Sequence, residues 1–136
     1  MEFLDTNILV YSASGIPADS EKSSIARALT SRSDVAISLQ VLQEFYCVAR
    51  HPRKLDFTHD EALAYCHRWR RFTVLEPTLA VFDDALVLCE RYRIQFYDAT
   101  IVAAARQLKC RILLSEDLSH GQTYGGVRVV SPFRGL

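Results

Sequence analysis

Four acidic residues stand where a carboxylate has a chemical use: Asp5, Glu44, Asp98 and Asp117. Asp5 directly follows the apolar pair Phe3-Leu4, and Asp117 comes two residues after the run 112–115. In open α/β sheets, ligands bind beyond the carboxyl ends of the strands, near a topological switch point. Two acids that close two core strands are therefore expected to face one another across one crevice.

The other two acids fall on predicted helices. Glu44 lies three residues after Val41 and four before Val48, so it borders the apolar stripe of its helix. Asp98 opens an alanine-rich helix, where the helix dipole favours a carboxylate. If all four converge, they raise one another's pKa unless a cation is present. Oxygen ligands suit Mg²⁺ or Mn²⁺, and such an ion activates water and neutralises charge on a phosphodiester during hydrolysis.

Each acid also has a plainer interpretation when it is taken singly. Asp98 is well placed to cap its helix, and Glu44 to lie on the surface or the rim of a site. Asp117 suits a turn or a cap, and Asp5 suits an Asx turn with the residues that follow it. Spacing alone leaves these interpretations open beside the metal site.

The elements that must position these acids alternate along the chain. Apolar runs predict strands at residues 3–4, 35–37, 72–75, 111–115 and 127–130. Helical spacing predicts helices at residues 20–31, 38–50, 58–71, 82–89 and 97–108, with Ser38 and Thr58 as the expected caps of the second and third. The alternation predicts an α/β fold, with a central parallel sheet of about five strands covered by helices on both faces. A chain of this length predicts one domain, residues 1–136.

Bulk properties narrow the class of protein. Lys+Arg and Asp+Glu both number 16, so a nucleic-acid interpretation must rest on local clusters of charge. None of the four cysteines forms a C-x-x-C motif, and Cys47 and Cys89 fall in apolar helical patterns, which predicts buried free thiols. The sequence shows neither a signal-peptide pattern nor an apolar run long enough to span a bilayer, so we expect a cytoplasmic protein.

Around these acids the sequence resembles the PIN-domain ribonucleases, and most closely the VapC-type toxins of bacterial and archaeal toxin–antitoxin pairs. Four motifs carry the resemblance, in the family's order and across nearly the whole chain. They are FLDTN at residues 3–7, SLQVLQEF at 38–45, YDATIVAAA at 97–105 and LLSEDL at 113–118. The resemblance implies a three-layer α/β/α PIN-like fold, which agrees with the alternation of strands and helices.

The resemblance also implies the roles of the site residues. The acidic metal site for Mg²⁺ or Mn²⁺ would consist of Asp5, Glu44, Asp98 and Asp117. Asn7 would be a supporting polar residue, and Ser115 stands where the family has a Ser or Thr near the metal-bound water. Glu116 is an additional acid that either contributes to the site or points away from it.

We infer a hydrolytic mechanism from this set of acids. Asp5 and Asp98 would hold the principal ion, and Glu44 and Asp117 would complete the site directly or through water. Attack of water on phosphorus would leave 5′-phosphate and 3′-hydroxyl ends on the RNA, as the family implies.

Contact with RNA requires cations that the acidic centre does not supply. Arg53 and Lys54, which follow the Glu44 helix, are the best candidates for phosphate contacts. A second basic run spans residues 67–71, and both runs also suit a solvated face or a helix C-terminus. Trp69 or Tyr97 offers a stacking face, although Trp69 fits the core or a protein interface better.

The resemblance further implies two protein partners. One is a second copy of the chain, in a homodimer. The other is a cognate VapB-type antitoxin that lays a peptide over or near the acidic groove. We expect the apolar surface for these contacts between residues 20 and 75.

The function that fits best is an RNA-cutting toxin that arrests translation. The alternatives are a housekeeping RNA-processing nuclease with the same site and a catalytically silent PIN domain that only binds RNA or protein. A phosphotransferase with Asp5 as nucleophile is disfavoured, because Asn7 stands where haloacid-dehalogenase-type sites usually have a second Asp. A dinucleotide enzyme is disfavoured because no G-x-G-x-x-G motif follows a strand.

Overall fold

The computed structural model describes all residues, 1–136, as six helices and one six-stranded sheet. The strands are β1 (Glu2–Leu4), β2 (Val35–Ser38), β3 (Thr73–Leu75), β4 (Ile112–Leu114), β5 (Thr123–Tyr124) and β6 (Val127–Val130). The helices are α1 (Thr6–Ala13), α2 (Ser20–Thr30), α3 (Leu39–Arg50), α4 (His59–Trp69), α5 (Leu79–Tyr92) and α6 (Phe96–Gln107). One 3-10 turn, Pro17–Asp19, leads into α2.

The sheet has the strand order β3-β2-β1-β4-β6-β5. The pairings are parallel except the one between β5 and β6, so the predicted parallel α/β sheet is confirmed and the short strand β5 adds a sixth member. Strands β2 and β3 extend from one side of β1, and the chain then returns to β4 on its other side. The order therefore reverses between β1 and β4, whose ends stay level because Leu4 pairs with Leu114. This reversal is the topological switch point, where α/β sheets place their ligands.

Local capping fixes where the helices beside this switch point begin. The Ser38 hydroxyl accepts a hydrogen bond from the Val41 N–H, so strand β2 passes directly into α3. At the start of α4, Thr58 and Glu61 form a reciprocal capping box. Both caps were expected from sequence.

The helices form two layers, one on each face of the sheet. Helix α1 packs against α2 and α3, and α3 packs against α4. On the other face α5 packs against α6, which contacts β2, β4 and β6. The run Ala103–Ala105 is buried against these strands, because small side chains allow a helix to approach a sheet closely.

Trp69 belongs to the hydrophobic core. It is 1% exposed and meets the Phe45 ring edge to face, with 4.6 Å between ring centroids. Trp69 is therefore not available as a platform for a base.

The cysteines are all free, as predicted, but only Cys110 is buried, while Cys66 and Cys89 are half-buried. Cys47 is exposed, so its assignment to the apolar stripe of α3 was wrong. The buried stripe of that helix consists of Val41, Phe45 and Ala49, and Cys47 lies two residues beyond Phe45, on the opposite side. None of the six helices is long and apolar enough to cross a membrane.

Candidate acidic site

Asp5 ends β1 at the switch point and is the most buried of the candidate acids, with 4% of its surface exposed. Its backbone N–H donates to the Leu114 carbonyl at 3.0 Å, which ties it to the neighbouring strand β4. Its Oδ1 accepts the Thr6 N–H at 2.7 Å, and its Oδ2 accepts the Ser115 hydroxyl at 2.7 Å. The buried carboxylate is thus held by donors from both strand ends, and it caps α1 at the same time.

Burial dominates the ionisation of this side chain. Removal from water raises the pKa of Asp5 from 3.8 to about 7, since a buried carboxylate is disfavoured in its charged form. The hydrogen bonds from Ser115 and Thr6 act in the opposite direction, and the negative charges of Asp117 and Glu44 raise the pKa further. Asp5 therefore titrates close to neutral pH when no cation is bound.

The Ser115 hydroxyl connects the two strand ends. It donates to Asp5 and accepts hydrogen bonds from the Asn7 side-chain amide at 3.3 Å and the Asp117 N–H at 3.1 Å. The same Asn7 amide group donates to Asp117 Oδ2 at 3.1 Å, and its Oδ1 accepts the Glu116 N–H at 3.4 Å. Asn7 and Ser115 therefore hold the 115–117 segment against the start of α1, as supporting residues of the site would.

Glu44 reaches the same region from α3. Its Oε2 accepts the Thr6 hydroxyl at 2.8 Å, and its Oε1 accepts the Gln40 side-chain amide at 2.6 Å. Sequence reasoning quoted both Thr6 and Gln40 within motifs but gave neither a role. The position of Gln40, one helical turn before Glu44, was the available signal, because residues four apart share a helix face.

Asp98 is the third residue of α6, and Gln95 occupies the cap position instead. The plainer interpretation of Asp98 as the helix cap is therefore wrong. Asp98 is half-buried, and its pKa is raised by burial first and then by the charges of Asp117 and Glu44, with no hydrogen bond to offset them. The charges of Asp117 and Glu44 therefore act on both Asp98 and Asp5.

The donor set suits a hard divalent cation in its chemistry. It offers only oxygen ligands, and opposite charge would relieve the repulsion that raises the pKa values of Asp5 and Asp98. In the arrangement described here, no three acidic, histidine or cysteine side chains lie close enough together to hold a metal ion. Two of the acids, Glu44 and Asp5, instead have both carboxylate oxygens in hydrogen bonds within the protein.

Glu116, the additional acid, makes its own set of contacts with α1 and α2. Its Oε2 forms an ion pair with Lys22 at 2.9 Å, and its Oε1 accepts the Tyr11 hydroxyl at 2.6 Å. The Lys22 ammonium also lies over the Tyr11 ring, 4.9 Å from its centroid. Both carboxylate oxygens of Glu116 are thus used in contacts with α1 and α2.

A cleft of about 740 Å³ opens beside the acids. Its lining includes the acids Glu44 and Asp117 and the cations Arg53 and Lys54. The turn that carries these cations is held at its base by His51, whose Nδ1 accepts the Arg53 N–H and whose carbonyl accepts the Lys54 N–H. The cleft therefore brings cations and carboxylates to one concave surface.

Comparison with known families now places the chain. The PIN domain family matches residues 3–125, which is most of the sequence. The chain belongs to the PIN domain family.

Solved structures share the fold of this PIN domain. A toxin–antitoxin complex from Klebsiella pneumoniae is 21% identical, with a TM-score of 0.70 and 98% of each chain covered. VapC20 of Mycobacterium tuberculosis, a sarcin–ricin loop cleaving toxin, is 19% identical, with a TM-score of 0.69 and coverage of 86% of this chain and 90% of that one. DNA-bound VapBC from Salmonella typhimurium is 20% identical, with a TM-score of 0.64 and coverage of 96% and 97%. No curated protein matches the chain significantly.

The PIN domain does not bring every predicted residue to the site. The second basic run lies outside the cleft, and Arg71 at its end donates instead to the backbone carbonyls of Thr30 and Arg32. Sequence reasoning also missed Tyr11 and Lys22. Their contacts with Glu116 join residues about a hundred positions apart, so no local sequence pattern indicated these contacts.

Proposed function

We propose that this PIN domain is a Mg²⁺- or Mn²⁺-dependent endoribonuclease. We propose further that it is the cytoplasmic toxin of a type II toxin–antitoxin pair, which inhibits translation by hydrolysing RNA. The observation that supports the proposal is that Asp5 is buried at the topological switch point, where hydrogen bonds through Thr6 and Asn7 hold Glu44 and Asp117 beside it. The adjacent cleft supplies cations for the phosphates of a single strand.

The proposed chemistry is addition of water to phosphorus and departure of the 3′ oxygen. It leaves a 5′-phosphate on one fragment and a 3′-hydroxyl on the other. A bound divalent cation lowers the pKa of water and neutralises charge on the phosphodiester. Asp5 and Asp98 would be its principal ligands, and Glu44 and Asp117 would complete the set directly or through water.

The protein's own groups prepare this centre for a cation. The Ser115 hydroxyl and the Thr6 N–H orient the Asp5 carboxylate and favour its charged form. Asp98 makes no hydrogen bond within the protein, so its oxygens are free to accept a ligand. In the lining of the cleft, Arg53 and Lys54 would hold the phosphates that flank the attacked one.

The assignment as a toxin draws on the relatives. The similar structures include toxin–antitoxin complexes and a toxin that cleaves the sarcin–ricin loop. A housekeeping RNA-processing nuclease would use the same acids. The two functions are therefore distinguished by the effect of expression on bacterial growth. Induced expression of the wild-type chain in a bacterial host should arrest growth, with new RNA ends, and coexpression of the antitoxin should relieve the arrest.

We propose two protein partners for the same molecule. An antitoxin peptide would occupy the 740 Å³ cleft, whose lining includes apolar as well as charged side chains. A homodimer would use the outer face of α5, where Leu79, Leu86 and Val87 are 81%, 47% and 62% exposed. That face lies outside residues 20–75, where we expected the contact surface. Sedimentation of wild type and Leu86→Asp tests the dimer, which the substitution should dissociate.

The central experiment compares wild type with Asp5→Asn on single-stranded RNA at saturating Mg²⁺ or Mn²⁺. The amide keeps the shape of the side chain but removes its charge, so we expect at least a 100-fold loss of kcat, on the scale of other lost catalytic contacts. Asp60→Asn is the matched control, since Asp60 is an exposed acid on α4 that makes no contact with the site. Equal cleavage by wild type and Asp5→Asn would refute the assignment.

A further inference from the structure

A second pocket lies beside the acidic centre, between α3, α5 and α6. Its volume is about 240 Å³, below the roughly 300–1,000 Å³ of pockets for complete drug-sized ligands. Eleven residues line it and none of them is charged. The lining residues are Ser38, Gln40, Gln43, Pro77, Thr78, Val81, Phe82, Phe96, Tyr97, Thr100 and Ala104. A pocket of this size and neutrality suits one uncharged ring rather than a phosphate, a metal ion or a charged side chain.

The pocket is continuous with the acidic centre. Gln43 lines both this pocket and the larger cleft. Tyr97 directly precedes Asp98, and the Gln40 amide donates to both Glu44 Oε1 and the Tyr97 carbonyl. An RNA strand that places a phosphate at the acids therefore has the pocket within reach of a neighbouring nucleotide.

The aromatic side chains of the pocket are the most exposed in the molecule. Tyr97 is 63% exposed and Phe82 is 46% exposed, whereas the other aromatic side chains are more buried. Phe96 fixes the arrangement, because its ring packs edge to face against both, at 5.8 Å from Phe82 and 5.4 Å from Tyr97. Exposed aromatic faces beside a phosphodiester site are the usual stacking platforms for unpaired bases.

The two glutamine side chains of the pocket differ in how many of their hydrogen-bonding groups are already used within the protein. The Gln40 side chain is fully used, since its Oε1 accepts the Thr100 hydroxyl at 2.5 Å while its amide donates to Glu44 and Tyr97. The Gln43 side chain is exposed at the junction with the cleft. A side-chain amide offers both donors and an acceptor, so Gln43 is able to read the edge of a base.

We propose that this pocket binds one unpaired nucleobase of the RNA, from a nucleotide next to the phosphate at the acidic centre. The base stacks on Tyr97 with Phe82 at its side, and the Gln43 amide hydrogen-bonds to its edge. The pocket thereby sets a base preference at one position beside the cut. This inference rests on the proposed ribonuclease function and adds a specificity subsite to it.

The test is a binding experiment with pentanucleotides of single-stranded RNA, which are too short to slide through many registers. An abasic nucleotide is moved through the five positions, and binding to the Asp5→Asn protein is measured by fluorescence anisotropy at fixed salt. We expect the abasic change to weaken binding about 5- to 100-fold at one position, the range for loss of one stacked base. With Tyr97→Ala added, binding to intact RNA should weaken by the same factor, and the abasic change should have no further effect.

Two further variants sharpen the result. Tyr97→Phe keeps the ring and should bind like the parent, and Gln43→Ala should reduce discrimination among the four bases at that position. Leu63→Ala is the control, since Leu63 is 36% exposed on α4 and lines neither this pocket nor the cleft. If no position depends on Tyr97, or if Tyr97→Ala changes only the oligomeric state, the pocket is not a base site.

The outcome is independent of whether the chain cuts RNA. Absence of cleavage by wild type would refute the proposed function, and the abasic scan would still decide whether a base is bound. Normal cleavage without a Tyr97-dependent position would refute the pocket alone. In an active enzyme, Tyr97→Ala should raise KM more than it lowers kcat and should broaden the base preference beside the cut.

Discussion

At the level of single residues, the protonation of Asp5 links folding stability to pH. The folded pKa, about 7, is raised above the unfolded value of 3.8, so the folded chain holds this proton more tightly than the unfolded chain does. The stabilising contribution is complete below pH 3.8 and is lost as the pH rises through 7. We expect the melting temperature of the metal-free protein to lose this contribution between about pH 4 and 7. Thermal melts of wild type and Asp5→Asn check this, because the amide should flatten that part of the profile.

The same proton opposes a cation in the site. A carboxylate must be ionised to bind a metal, so loading releases protons and strengthens as the pH rises through 7. The stabilisation of wild type by Mn²⁺ in thermal melts should therefore be larger at pH 8 than at pH 6. An equal Mn²⁺ effect at the two pH values would contradict this linkage.

A substitution at Ser115 tests the environment of Asp5, because the Ser115 hydroxyl donates a hydrogen bond to the Asp5 carboxylate. Ser115→Ala removes the hydroxyl that lowers the pKa of Asp5, so the acidic limb of the pH–kcat/KM profile should move to higher pH. The lost buried hydrogen bond should also cost about 1–3 kcal/mol of folding free energy in denaturant titrations. Ser23→Ala is the matched control, since the buried Ser23 hydroxyl donates to the Ser14 carbonyl away from the acids. It should lose stability and keep the wild-type pH profile.

At the level of elements, the ion pair of Lys22 and Glu116 joins α2 to the segment that carries Asp117. Glu116 does not reach the acidic centre, so it acts as a positioning residue. Glu116→Gln and Lys22→Met should each lower cleavage about 2- to 10-fold. The double variant should be no worse than the worse single one, because residues in one network are not additive.

A matched ion pair elsewhere provides the control for this prediction. Arg32 pairs with Glu2 at 2.6 Å, away from the acids, and its burial is similar to that of Lys22. Arg32→Met should cost comparable stability, up to about 1 kcal/mol, and leave cleavage unchanged. Independent effects of the Lys22 and Glu116 substitutions on cleavage would show that the pair does not position the segment.

Sequence predicted the elements well where the signals were local. Ser38 and Thr58 were recognised as caps from residue type and position, and both caps are present. Strand β5 was missed because two residues, Thr123 and Tyr124, are too few for a period to show. Cys47 was misplaced because an apolar residue type was taken as a sign of burial, although the helix turns it outward.

The candidate site, too, was predictable from sequence only in part. The positions of its acids on the elements were predictable, because each one follows a strand or lies on a helix whose position in the fold is set by the alternation. Their hydrogen-bond partners were not, since Thr6 with Glu44 and Ser115 with Asp5 are pairs 38 and 110 positions apart. Such pairs depend on which strands become neighbours, and periodicity carries no information about strand order.

At the level of the whole molecule, the net charge is zero, but carboxylates and cations are concentrated in the lining of one cleft. Arg53 and Lys54 face the acids, and they should account for the salt dependence of RNA binding. Each removed phosphate contact should lower the slope of log K against log salt by about 0.7 for a single strand. We expect Arg53→Ala and Lys54→Ala to reduce the slope in anisotropy titrations. Arg70→Ala, in the basic run outside the cleft, should leave it unchanged.

The strand order has a consequence for synthesis of the chain. Asp5 is made first, but the strand that pairs with β1 at the switch point, β4, and the acid that faces Asp5, Asp117, are separated from it by more than a hundred residues. A chain still growing on the ribosome therefore lacks Asp117, and with it part of the acidic site, until β4 and the residues after it have emerged. The acidic centre is therefore complete only after β4 and Asp117 have been made, and the proposed nuclease would be inactive while it is being translated.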